Sequence, residues 1–80
     1  MTTVRVKLFA TLRKHKPGPG IGEAFPVDLP DGTTVQGLIR HLDLPEEQVK
    51  IVFVNALYRQ IDHVLADGDE LGIFPAVGGG

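Results

Sequence analysis

The 80-residue chain contains no cysteine and no serine. Without cysteine there is no disulfide, no thiolate nucleophile and no Cys-ligated iron–sulfur cluster. Without serine there is no Ser-His-Asp triad. Long apolar runs are missing too. No stretch approaches the ~20 apolar residues of a membrane-spanning helix, and the first residues hold no apolar core of a secretory leader. A cytoplasmic protein is expected. Neither sign of charge dominates: the formal net charge is −2, which gives no basic footprint for nucleic acid. His15, His41 and His63 form no pair at metal-ligand spacing. Asp67, Gly68 and Asp69 read as a turn, because the full twelve-residue calcium-loop pattern is absent. Gly18, Gly20 and Gly22 do not lie between a strand and a helix, so they form no phosphate-binding loop. No metal, no stably bound cofactor and no catalytic apparatus are expected.

What is present is one small domain. Residues 2–12 read as a strand. Val4, Val6, Leu8 and Ala10 alternate with Arg5, Lys7 and Phe9, so the first set is expected to face the core. Residues 13–22 carry Pro17, Gly18, Pro19, Gly20 and Gly22, a wide hairpin loop. Residues 23–29 form a second strand with Phe25, Val27 and Leu29 on one face. Pro26, lacking a backbone donor, sends it to a sheet edge. After the turn at Pro30, Asp31 and Gly32, Thr33 or Thr34 offers a helix N-cap. Val35, Leu38, Ile39 and Leu42 follow as an amphipathic stripe. Gly37, costly in a helix, is expected to allow close approach to the sheet. Pro45, Glu46, Glu47 and Gln48 suit one short helical turn.

The run 50–55 is the most apolar strand, which implies cover on both faces or a partner surface. Asn55 and Ala56 read as a tight turn into a short strand at 57–60. Residues 61–66 connect, with Val64 and Leu65 tucked under. Residues 70–74 make the last strand, with Leu71 and Ile73 toward the core and Glu70, Gly72 and Phe74 on the other face.

This order gives an α+β roll in which one helix covers one face of a four- or five-stranded sheet. The other face is open. Alternation puts Phe9 and Phe74 on it, joined by either Val52 and Val54 or Ile51 and Phe53. Clustered apolar residues on an open face mark an interaction surface. Beyond Pro75, Ala76 and Val77 come Gly78, Gly79 and Gly80. Glycines without Cβ atoms do not pack, but they can lie extended in a narrow slot and present a terminal carboxylate. The expected organisation is a domain over 1–77 and a flexible tail over 78–80.

Three segments carry a resemblance. Val6-Lys7-Leu8-Phe9-Ala10-Thr11-Leu12-Arg13 resembles the opening strand of the small subunit of molybdopterin synthase, the MoaD-like proteins. Leu29-Pro30-Asp31-Gly32-Thr33-Thr34-Val35 resembles their turn and helix start. Leu65-Ala66-Asp67-Gly68-Asp69-Glu70-Leu71, then Ile73-Phe74-Pro75-Ala76-Val77 and the glycines, resembles their C-terminal signature. The likeness is shared in part with the ThiS-like sulfur carriers of thiamine (thiazole) synthesis. It implies the ubiquitin-like β-grasp fold: a four- to five-stranded mixed sheet packed on one main helix.

It further implies a sulfur carrier and not an enzyme. Gly80 would be adenylated with ATP by an adenylyltransferase of the ubiquitin-activating type, then thiocarboxylated. Sulfur would pass to a pterin precursor held by the larger synthase subunit. Gly78 and Gly79 would be the stem, and Val77, Pro75, Phe74 and Phe9 would meet partners. The chain departs from the pattern at two places. It ends in three glycines where the family end is read as two, and Ala76 stands where a second proline is common. The loop at 17–22 favours the MoaD-like branch over the more compact ThiS-like one. A ubiquitin-like modifier joined to proteins through Gly80 would use the same tail.

Overall fold

The computed structural model describes residues 1–15 and 23–76. Strand β1 is Thr2–Leu8 and alternates buried and exposed residues along its whole length. It pairs antiparallel with β2, Phe25–Leu29, from Thr2 opposite Leu29 to Val6 opposite Phe25. Helix α1 is Val35–His41, followed by a 3-10 turn at Glu46–Gln48. Strands β3, Val49–Val54, and β4, Leu57–Arg59, form a hairpin, and β5 is Glu70–Pro75. The sheet order is β2-β1-β5-β3-β4. β1 and the central strand, β5, run parallel, and the other neighbours are antiparallel. This mixed sheet on one helix is the architecture the resemblance implies. Pro26 lies in β2, an edge strand, as its missing donor requires.

The core forms between the helix and one sheet face. Val35, Leu38 and Ile39 of α1 are buried with Val4, Val6 and Leu8 of β1, Val52 and Val54 of β3, and Leu71 and Ile73 of β5. Each such side chain contributes about 1.5–3 kcal/mol when removed from water. Leu42, the last residue of the stripe, is only partly buried. The helix start is fully accounted for. Thr34 is the N-cap, and its hydroxyl accepts from the Gly37 N–H at 3.1 Å. The N–H groups of Val35 and Gln36 donate to the carbonyls of His63 and Ile61, both at 2.9 Å. The connection after β4 therefore serves as the second half of the cap. At the other end Asp43 adopts a left-handed φ of 58°. Its N–H donates to the Arg40 carbonyl, and the Leu44 N–H donates to that of Ile39, the paired bonds of a Schellman stop.

Five expectations need correction. The first strand ends at Leu8, not residue 12, because Ala10 takes a left-handed φ of 51° and turns the chain into a 3-10 helix, Ala10–His15. Ala10 is consequently exposed, while Leu12 reaches the core from that helix. The 3-10 helix also replaces residues 13–15 of the expected hairpin loop; residues 16–22 lie outside the described residues. Val64 is not tucked under: it is 55% exposed, because its backbone bridges Thr34 while Leu65 turns inward. Gly37 does not face the sheet. A Cβ there would lie 2.9 Å from the Thr33 Cγ2, so its reason is the tight N-cap turn. The last strand runs one residue beyond the expected 70–74: Pro75 is the final residue of β5 and pairs with Val49. No helix among the described residues is long and apolar enough to cross a membrane.

Candidate functional site

The sheet face opposite α1 is built by a change of direction in two strands. At the end of β1 the Phe9 N–H donates to the Ile73 carbonyl at 3.1 Å, and the chain then leaves the sheet at Ala10. This lays the Phe9 ring across the neighbouring strand. The residue beneath it is Gly72, where a Cβ would sit 3.1 Å from the Phe9 Cε2 and 3.5 Å from the Phe74 Cε1. Because glycine leaves that space free, Phe9 stacks on Phe74, with ring centroids 4.1 Å apart and planes 7° from parallel. Phe53 of β3 meets Phe74 edge-on at 5.7 Å and 84°. Such aromatic pairs contribute about 0.5–1.5 kcal/mol each beyond their burial.

A second device decides which residues of β3 join them. The register shifts between Val49 and Ile51, so that Val49 opposes Pro75 and Ile51 opposes Phe74. This bulge turns Val49 toward the core and Ile51 toward the open face. Of the two pairs left open by alternation, Ile51 and Phe53 therefore face outward and Val52 and Val54 inward. All three phenylalanines are half-buried. They form a ridge with a depression on each side. One side is bounded by Arg5, Lys7, Asn55, Ala56 and Glu70, the other by Ala10, Lys50, Ile51, Pro75 and Ala76.

The second depression lies where the C-terminal segment leaves the sheet. The Ala76 N–H donates to the Gln48 carbonyl at 2.8 Å. Pro75 is buried at that edge, opposite Val49, and contributes to the depression beside exposed Ala76. Among the expected site residues, the structure thus brings Phe9 and Phe74 into contact and sets Pro75 at the root of the tail. Val77, Gly78, Gly79 and Gly80 lie outside the described residues. Sequence reasoning placed Lys7 and Gly72 on this face by alternation without giving either a part in it, and left Phe53 as one of two alternatives. Gly72 was the available signal, a glycine between Leu71 and Ile73 in an otherwise apolar strand.

Asp67 and Asp69 are structural. The Asp69 carboxylate is buried and accepts from the Asn55 Nδ2 at 2.9 Å and the Ala66 N–H at 2.8 Å. Asn55 and Ala56 both have positive φ, at 51° and 70°, the requirement of a two-residue hairpin turn. Asp69 thereby fixes that turn to the start of β5. Asp67 accepts from the Thr3 N–H at 2.8 Å. Among the described residues no three His, Asp or Glu side chains come together to hold a metal ion.

The comparisons agree with this geometry. The model of the ThiS family matches residues 6–80. A protein of Pyrococcus furiosus described as molybdopterin converting factor, subunit 1, superimposes with a TM-score of 0.72 at 29% identity, covering 96% of this chain and 100% of that one. Small archaeal modifier protein 1 of H. volcanii gives 0.74 at 22%, over 96% and 100%. A ubiquitin of Caldiarchaeum subterraneum gives 0.61 at 14%, over 99% and 98%. These last two likenesses establish the fold, which is the ubiquitin-like β-grasp. None of the curated proteins matches the chain by sequence.

Proposed function

The chain belongs to the ThiS family of small ubiquitin-fold sulfur carriers and modifiers, and from that premise we propose that it carries sulfur on Gly80 for molybdopterin synthesis. The observation that carries the reading is the reach of the family match, which runs from the end of β1 through the last glycine, Gly80. The molybdopterin branch is favoured by the Pyrococcus furiosus structure, similar along its whole length. The chain is then a substrate and a subunit, not a catalyst.

The chemistry needs only the tail and two partners. A Gly80 carboxylate oxygen attacks the α-phosphate of ATP on an adenylyltransferase, and pyrophosphate leaves. Sulfur at the sulfide level adds to the resulting acyl adenylate, and AMP leaves. The product thiocarboxylate is carried to a synthase subunit that holds the pterin precursor. ATP belongs to the activating partner, and the reaction belongs in the cytoplasm. The β-grasp domain supplies the docking face around Phe9, Phe53 and Phe74. Pro75 and the Ala76–Gln48 hydrogen bond anchor the chain to the sheet up to Ala76. A stem without Cβ atoms fits a channel too narrow for other residues.

The test is adenylation followed by transfer. The chain, ATP and the adenylyltransferase should exchange pyrophosphate, and the thiocarboxylated product with the large synthase subunit should convert the pterin precursor. Removing Gly79 and Gly80 should abolish both while leaving the melting temperature unchanged. Adenylation without pterin conversion, but with sulfur transfer to a thiazole synthase, would assign the chain to thiamine. Adenylation followed by a ladder of protein conjugates would assign it to protein modification.

A further inference from the structure

We propose that Lys7 is a specificity element of the docking face, and that the partner seated there presents a carboxylate side chain to it at the border of the aromatic contact. The partner is taken to be the adenylyltransferase of the proposed function. Although the chain as a whole has a net charge of −2, this face is locally basic. Arg5, Lys7 and Lys50 border the two depressions, and Glu70 is the one acidic residue among the side chains lining them. The ion pairs among the described residues are Met1–Asp31 and Arg40–Glu46. Neither involves a cation of this face.

Lys7 differs from its neighbours in two ways. Its register partner on β5 is Gly72, whereas the partner of Arg5 is Glu70. Directly opposite Lys7 on β5 there is therefore no side chain, and neither of those ion pairs involves Lys7. Its ammonium also rests beside an aromatic ring: the Nζ lies 5.3 Å from the centroid of the Phe9 ring, within cation–π range. Phe9 is itself held by its stack on Phe74 and its seat over Gly72. The positive charge thus stands at the edge of an apolar ridge on a ring that is already ordered, and less side-chain freedom is lost when a carboxylate meets it. A complementary surface combines an apolar group against Phe53 and Phe74 with a carboxylate beside Phe9. A rim charge of this kind acts chiefly on the rate of encounter and on its salt dependence, while the buried aromatic contact governs the lifetime of the complex.

The experiment measures association and dissociation rates of the full chain with the adenylyltransferase and ATP over a range of ionic strength. Lys7 is exposed, so its variants should keep the wild-type melting temperature. Lys7→Glu should slow association by about tenfold at low salt, with the gap closing as salt rises. Lys7→Met should flatten the salt dependence and leave the dissociation rate within about twofold. Phe9→Ala should instead speed dissociation at every salt concentration. Lys7→Glu associating as fast as wild type, with an unchanged salt slope, would overturn the role of Lys7 while leaving the carrier reading intact. A wild-type chain that forms no adenylate would instead overturn the carrier reading, and the choice of partner with it.

Discussion

Replacing Gly72 with alanine separates the stability of this sheet face from the docking proposed for it. The added Cβ would stand 3.1 Å from the Phe9 Cε2 and 3.5 Å from the Phe74 Cε1. Carbon atoms pack best at about 3.5–4.0 Å, so Phe9 must withdraw by roughly half an ångström. The ring is half-buried and can tilt toward solvent, which weakens a stack worth about 0.5–1.5 kcal/mol. Alanine in a strand in turn gains about 0.5–1 kcal/mol over glycine in backbone entropy. Gly72 has no positive φ to lose. The two effects nearly cancel, so stability should change by less than about 1 kcal/mol, a melting shift of no more than about 8 °C. Docking should suffer more. Displacing a central aromatic anchor costs about 2 kcal/mol or more, roughly thirtyfold in Kd for the adenylyltransferase. Thermal denaturation followed by circular dichroism, and calorimetric titration with the partner, give both numbers. An unchanged Kd at unchanged stability would refute the claim that the stacked ridge is the docking surface. A loss of several kcal/mol in stability would refute the claim that Phe9 is free to yield.

Three further outcomes follow from the fold. Thr34→Ala should destabilise by about 1 kcal/mol in urea denaturation, because the Gly37 N–H loses the only cap its side chain supplies. Asp69→Ala should cost about 2–3 kcal/mol by the same assay, since a buried carboxylate holding both Asn55 and Ala66 is removed. The Asp31 carboxyl is held below the ordinary aspartate range, first by the Thr2 hydroxyl and then by the α-amino group. A lowered folded-state pKa gives stability that is present above the unfolded aspartate pKa and lost as pH falls through the folded value. The stability difference between wild type and Asp31→Asn should therefore hold at neutral pH and shrink on acidification; a difference that grows in acid would contradict the assignment.

Much of this fold is legible in the sequence, because its local rules agree. The alternation of Val4, Val6 and Leu8, the stripe from Val35 to Ile39 and the edge position of Pro26 all survive in the structure. What was hidden depends on backbone events that side-chain patterns do not announce. Ala10 and Leu12 continue the period of β1, so the left-handed turn at Ala10 reads as strand. The bulge between Val49 and Ile51 occurs in a run apolar at nearly every position, where no alternation marks the shift. The reasons for Gly37 and Gly72 are contacts with Thr33 and Phe9, one local and one between strands far apart in sequence. The aromatic face was legible through Phe9 and Phe74, but Phe53 joins it only once the bulge is known. The tie from Asp69 to Asn55 joins residues 14 apart, and nothing in an Asp-Gly-Asp turn foretells it.

The central claim is that Gly80 carries sulfur. It is tested most directly by the intact mass of the protein purified from its own cells under reducing conditions, followed by fragmentation of the C-terminal peptide. The account predicts a species heavier by the exchange of one carboxylate oxygen for sulfur, with the change confined to Gly80. A chain that ends at Gly80 with an unmodified carboxylate, and that stays unmodified when ATP, the adenylyltransferase and a sulfur donor are supplied, would contradict it.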